Sequence, residues 1–384
     1  MPHTQQGFGE YTDMMFEEIC FSTPRSAESA EDIAAGVAKA IEVDGRKAFA
    51  EGLAERLIQL GAPCTAEDIE TMLAEVRRRY KALLGKSCPR TVVEWIRGTT
   101  PGTTNRMNNY DLCYALEMDC RQTAEFFRKC FLTQPFNVKS RTDAVYLYCI
   151  YHGKPYSTVT EMLEQSRGFV PQENAHTATS KIASVIKETE DDDRFLRYLS
   201  AHCYGNEQQF QLARQNVNLE IDLLKESLVE DSRQGLVDLS SADRLNSMTI
   251  AVLLGYRYQY EDKKSLGTSL PKRITESLPN DVTLGKVIKG ETASYELLRK
   301  TLMLLRFYNY YHAAGQTLGE LSHKQANEIL LDFHDGLNDT LLKCGFAEMY
   351  ILHPFDCLLL YCANTDDPLL TLHSVINERR NTND

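Results

Sequence analysis

Two stretches of this chain match each other in the same residue order, and that recurrence limits the fold more than any other feature of the sequence. Val92 to Gly98, ending Ile96-Arg97-Gly98, pairs with Leu284 to Gly290, ending Ile288-Lys289-Gly290. Arg106 and the apolar helix that follows to Leu116 pair with Arg299 and the run Leu302 to Phe307. Lys129-Cys130 pairs with Lys343-Cys344, Asp143 with Asp356, and Tyr148-Cys149 with Tyr361-Cys362. Ordered matches separated by small insertions are the mark of a duplicated supersecondary unit, in which each copy must bury its own apolar face. The class this implies is all-α and multi-helical.

Helical periodicity runs along most of the chain. Residues 27–42 and 46–60 read as an N-terminal hairpin of two amphipathic helices, the second carrying Phe49, Leu53, Leu57 and Leu60 and stopping at Gly61 and Pro63. A longer helix is predicted from Thr65, capped with Asp68, through Met72, Val76 and Tyr80 to Gly85. Pro89 suits the first position of a short helix that Gly98 closes. Further helices are predicted at 106–118, 121–132, 141–151 and 156–165, then at 193–203, 206–229 and 241–260. This reading gives four segments: an N-terminal hairpin (1–62), a helical unit (63–165), a connector with a small core of its own (166–275) and a degenerate second copy (276–384). The clusters Phe307-Tyr308-Asn309-Tyr310-Tyr311 and Leu358-Leu359-Leu360-Tyr361 are expected in the core of that copy.

With 384 residues, 43% of them hydrophobic, the chain can build more than one core. No apolar run reaches the length needed to span a bilayer, and the polar start, Met1 to Glu10, lacks the layout of a signal peptide, so the protein is expected in the cytoplasm without a membrane partner. The eleven cysteines form no Cys-x-x-Cys pair and are expected to be free thiols. His353 with Cys357 and His202 with Cys203 lack the second pair a tetrahedral site needs, so no metal and no cofactor is expected.

The net charge of −12 argues against a protein that coats nucleic acid indiscriminately, which makes the placement of positive charge informative. Between Val76 and Tyr110 stand eight cations, Arg77, Arg78, Arg79, Lys81, Lys86, Arg90, Arg97 and Arg106, against the single acid Glu94. Such a concentration suits phosphate binding, because each neutralised phosphate releases condensed counterions. Arg90, Thr91 and Glu94, at the start of the short helix, suit base edges: Arg90 a guanine, Glu94 a cytosine amino group, Thr91 a base or a phosphate. Arg77, Arg78, Lys86, Ser87, Arg97, Thr99, Thr100, Thr103, Asn105 and Arg106 complete the expected DNA contacts, mostly to the backbone.

Pro89-Arg90-Thr91-Val92-Val93-Glu94-Trp95-Ile96-Arg97-Gly98, then Pro101, then Tyr110 to Met118, resembles the recognition-helix half of the XRE (Cro/repressor-like) helix-turn-helix family. The tail 121–165 is similar to those that follow such domains in uncharacterised Gram-positive bacterial proteins. The resemblance implies that Arg90 and Glu94 read bases while Val92, Trp95, Leu112 and Leu116 form core. The sequence departs from the family in its longer preceding helix and in the turn Leu84-Gly85-Lys86-Ser87-Cys88. In the second copy the cations Lys286, Lys289, Arg299, Lys300 and Arg306 meet Asp281, Glu291 and Glu296, and Gly285 is expected to break the short helix, leaving a structural or dimerising copy.

The expected function is sequence-directed binding of double-stranded DNA by a homodimer, as a transcriptional regulator or a mobile-element or phage-defence accessory factor. The alternative is a non-enzymatic helical adaptor that uses the same scaffold to hold a protein partner, and a third reading has structured RNA bound by the arginine face of the helix 65–84. No Gly-x-Ser-x-Gly elbow, phosphate-binding loop or His-Glu-x-x-His motif points to an enzyme.

Overall fold

The computed structural model describes residues 49–62, 64–99, 101, 106–131, 133, 135–170, 179–202, 210–233, 278–291, 293–314, 321–350 and 353–377. Among them every regular element is helical. No helix among the described residues is long and apolar enough to cross a membrane. The predicted helices 27–42 and 241–260 lie outside the described residues, as do Thr100, Thr103 and Asn105.

Residues 42–209 form one compact unit. Its helices are α1 (residues 49–59), α2 (Ile69–Leu84), α3 (Arg90–Ile96), α4 (Arg106–Ala115), α5 (Cys120–Phe126), α6 (Arg141–Tyr151), α7 (Tyr156–Gln165), α8 (Thr179–Glu188) and α9 (Asp192–Ala201). The predicted helices 141–151 and 156–165 match α6 and α7 residue for residue. Other boundaries differ: Pro89 caps the short helix, which starts at Arg90, and the helices predicted at 193–203 and 206–229 run over Asp192–Ala201 and Gln211–Arg233. The helix predicted from Thr65 begins at Ile69, because the Asp68 carboxylate accepts the Thr71 N–H and so acts as the cap itself. The helix predicted at 121–132 is α-helical only to Phe126 and continues as a π-helical turn, Phe127–Phe131, that puts Phe127, Cys130 and Phe131 into the core. The helix predicted to Met118 stops at Ala115, two residues before Glu117 takes a left-handed φ of 49°.

The second unit holds the described residues from Phe210 onward. Its helices are α10 (Gln211–Arg233), α11 (Asp281–Ile288), α12 (Tyr295–Ala313), α13 (His323–Lys343), α14 (Pro354–Ala363) and α15 (Pro368–Asn377). Phe307, Tyr308, Tyr311 and the run Leu358 to Leu360 lie in its core, as predicted. α11 passes through Gly285 without a break. A helical glycine costs about 1 kcal/mol relative to alanine. The capping box of Asn280 with Thr283 and the burial of Leu284 and Val287 on either side offset it.

The described helices of the segment read as a connector, 166–275, join the cores of the two units. Ile182, Ile186, Phe195 and Leu199 of α8 and α9 share one core with Phe49, Leu53 and Leu57 of α1 and with Trp95, Tyr110 and Tyr146. Ala213, Val217, Ile221, Leu224 and Leu228 of α10 instead join the core of the second unit. Each of these helices carries one apolar stripe and must bury it somewhere. Periodicity reveals the stripe but not which unit receives it.

The duplication, by contrast, is physical. α3 and α11 end in the same turn: Gly98 (φ 103°) and Gly290 (φ 75°) take positive φ and donate their N–H groups to Trp95 and Val287. The N–H groups of Thr99 and Glu291 then reach back to Glu94 and Lys286 at 2.9 Å. Arg106 pairs with Asp143, and Arg299 pairs with Asp356 through two 2.7 Å contacts. Each aspartate also accepts the N–H of the residue six positions before it, Asn137 in one unit and Tyr350 in the other, both at 2.9 Å. Both carboxylates are fully buried. The matched arginines and aspartates thus do the same work in both copies, tying the N-terminal part of the arginine helix to the first turn of the aspartate helix.

Candidate nucleic-acid interface

α3 has seven residues, and its pattern separates two faces. Val92, Val93, Trp95 and Ile96 are buried, with the Trp95 ring 6.3 Å from Phe49 and 5.8 Å from Phe131. Leu112 and Leu116 are buried as well, as the family resemblance implied for these core positions. Arg90, Thr91 and Arg97 remain exposed and Glu94 half-buried, so the residues expected at base edges lie on the outward side of α3. Arg90 Nε donates to Glu94 Oε1 at 2.8 Å, one helical turn apart, with 92% of the Arg90 side chain exposed. An exposed pair of this spacing contributes only a few tenths of a kcal/mol and can be exchanged for another anion at little cost.

On α2 the buried stripe is Met72, Leu73, Val76, Tyr80 and Leu84, which leaves Arg77, Arg78 and Lys81 exposed. Arg78 is bound by Glu75 through contacts of 2.8 and 2.6 Å. Arg79 faces inward, bridging Glu75 and Glu117 and donating to the Leu60 carbonyl. Ser87 and Thr99, at the two ends of α3, are exposed.

Two of the expected DNA contacts are ion-paired with aspartates of the chain itself. Arg106, expected on the DNA backbone, is committed to Asp143, which also accepts from the Tyr110 hydroxyl at 2.8 Å. Burial pulls the Arg106 guanidinium down, but Tyr110 and Asp143 outweigh it and leave the group firmly charged. Its role in the fold is shared by Arg299, so the repeat itself accounts for it.

Lys86 donates to Asp111 Oδ2 at 2.7 Å and to the Tyr156 hydroxyl at 2.5 Å. The hydroxyls of Tyr146 and Tyr156 both donate to Asp111 Oδ1 at 2.7 Å. Burial lowers the affinity of the Lys86 amine for its proton, yet the hydrogen bonds to Asp111 and Tyr156 prevail and its pKa is raised. Sequence reasoning found Lys86 but missed Asp111, Tyr146 and Tyr156. The available signal was an aspartate and two tyrosines among the apolar positions of helices otherwise reading as core.

Among the described residues no group of three His, Cys, Asp or Glu side chains is placed to hold a metal ion. No family model, curated protein or solved structure matches this chain.

Proposed function

We propose that the unit 42–209 binds duplex DNA through the outward side of α3, with Arg90, Thr91, Glu94 and Arg97, and through the exposed cations Arg77, Arg78 and Lys81 of α2. The observation that carries this reading is the division of α3 into a buried apolar side and an exposed polar side bearing two arginines, in a chain whose net charge is −12. Arg90 and Glu94 suit base edges, and Ser87 and Thr99 suit phosphates. The XRE resemblance of residues 89–118 supports the same reading and adds a bacterial, cytoplasmic regulator or defence accessory factor acting by occupancy. A second copy of the chain completes the site, because one short helix reads too few base pairs for specificity.

One observation favours a helical adaptor instead. Arg78, Arg79, Lys86, Arg90 and Arg106, five of the eight cations of the basic window, already face carboxylates of the chain itself. Fluorescence anisotropy with duplex DNA separates the two readings. DNA recognition predicts binding that weakens steeply with salt and is lost in Arg90→Ala with Arg97→Ala. No binding by the wild type at low salt sinks the DNA reading and makes the adaptor the leading one.

A further inference from the structure

The cluster around Lys86 has a counterpart in the other copy that contains no charge. The register that aligns Gly98 with Gly290 places Lys86 on Leu278, and the register that aligns Arg106 with Arg299 places Asp111 on Leu304. The register that aligns Asp143 with Asp356 places Tyr146 on Leu359 and Tyr156 on Leu369, with Pro155 on Pro368 just before. All four positions of the polar cluster are therefore leucine in the second unit. Leu304 and Leu359 are buried in its core, and Leu278 and Leu369 pack against it.

In the second unit these positions thus belong to or flank the apolar core, with no carboxylate at any of them. A buried ion pair rarely stabilises more than well-packed apolar residues of similar volume. What the charged version adds is a lysine held in one position beside α3. Its side chain is 37% exposed, four residues before Arg90, and two of its three N–H donors are engaged by Asp111 and Tyr156. The Tyr156 ring lies 4.8 Å from the ammonium and restricts it further.

We infer that Lys86 is a preset contact for a backbone phosphate of duplex DNA, with Asp111, Tyr146 and Tyr156 as the positioning residues that hold its ammonium beside α3. The inference rests on the DNA reading above and names one element of its backbone contact. A lysine on a free four-carbon stem must be ordered when it binds, whereas Lys86 is ordered beforehand, with one N–H left for a phosphate oxygen. The second copy, with leucines at all four positions, lacks this contact.

The test grafts the leucines of the second copy onto the first, as Lys86→Leu, Asp111→Leu, Tyr146→Leu and Tyr156→Leu together, and measures DNA binding over a salt series. Thermal unfolding and the emission of Trp95 check that the graft is folded. The expected result is a folded protein whose slope of log affinity against log salt is shallower than wild type by about 0.9, so that the affinity ratio between 50 and 200 mM salt shrinks about threefold. Lys86→Gln, which removes the charge but keeps a donor for Asp111, is expected to shift the slope equally and covers the case in which the graft does not fold. A wild-type slope in either folded variant overturns the inference while leaving the DNA reading intact. Absence of DNA binding by the wild type overturns both, and that arm of the experiment distinguishes the two failures.

Discussion

Removing the Asp143 carboxylate is the sharpest perturbation of the unit 42–209. In Asp143→Ala the Arg106 guanidinium loses its counter-charge, and the Tyr110 hydroxyl and the Asn137 N–H lose their acceptor inside the protein. Truncating one partner of a buried ion pair costs about 3–5 kcal/mol. In a unit of this size that lowers Tm by roughly 6–20 °C. Trp95 is the only tryptophan and lies in the core of this unit against Phe49 and Phe131, so its fluorescence during urea unfolding reports this unit. The double variant Arg106→Met, Asp143→Leu removes both charges and is expected to recover part of the loss, because an apolar pair needs no counter-charge. A Trp95 transition that does not move in Asp143→Ala, or a double variant no more stable than the single, would refute the account of the pair as the tie between α4 and α6.

Asp356, the matching carboxylate, predicts a pH dependence. Burial pushes its pKa up, but Arg299 and then His353 override that and hold the carboxyl well below the usual range. Its contribution to stability is therefore complete above the unfolded value of about 4 and is lost as pH falls through the lower folded value. Circular dichroism should show the second unit losing stability below about pH 4, with a flatter acid limb and lower neutral stability in Asp356→Asn. On α1, a Cβ at Gly52 would meet Cys130 Sγ at 2.5 Å, so Gly52→Ala is expected to destabilise by about 1–3 kcal/mol in denaturant titration. Adding Cys130→Ala should relieve that loss, and no relief would mean the clash is not its cause. Gly98→Ala, at φ 103°, should cost about 1–3 kcal/mol and soften the end of α3, measurable as faster amide exchange at Thr99.

Residues 92–149 and 284–362 declare their kinship without coordinates. Arg106 and Arg299, Asp143 and Asp356, and the two closing glycines keep their order because each contact they make is required once per copy. The extents of α6 and α7 were legible for a local reason: a serine cap that binds the Asp143 N–H and a proline entry, each acting within one turn of its helix. The inward and outward sides of α3 follow from the spacing of Val92, Trp95 and Ile96, so the candidate site was legible as far as its exposed residues go. Tertiary structure decided the rest. Nothing near Arg106 or Lys86 in sequence distinguishes a cation bound for solvent from one drawn to a carboxylate 37 or 25 residues away. Nor does the stripe of α8 or α10 name the core that will bury it. Helix periodicity is a property of neighbouring residues, whereas the partner of a buried charge and the destination of an apolar face are set by which distant helices meet.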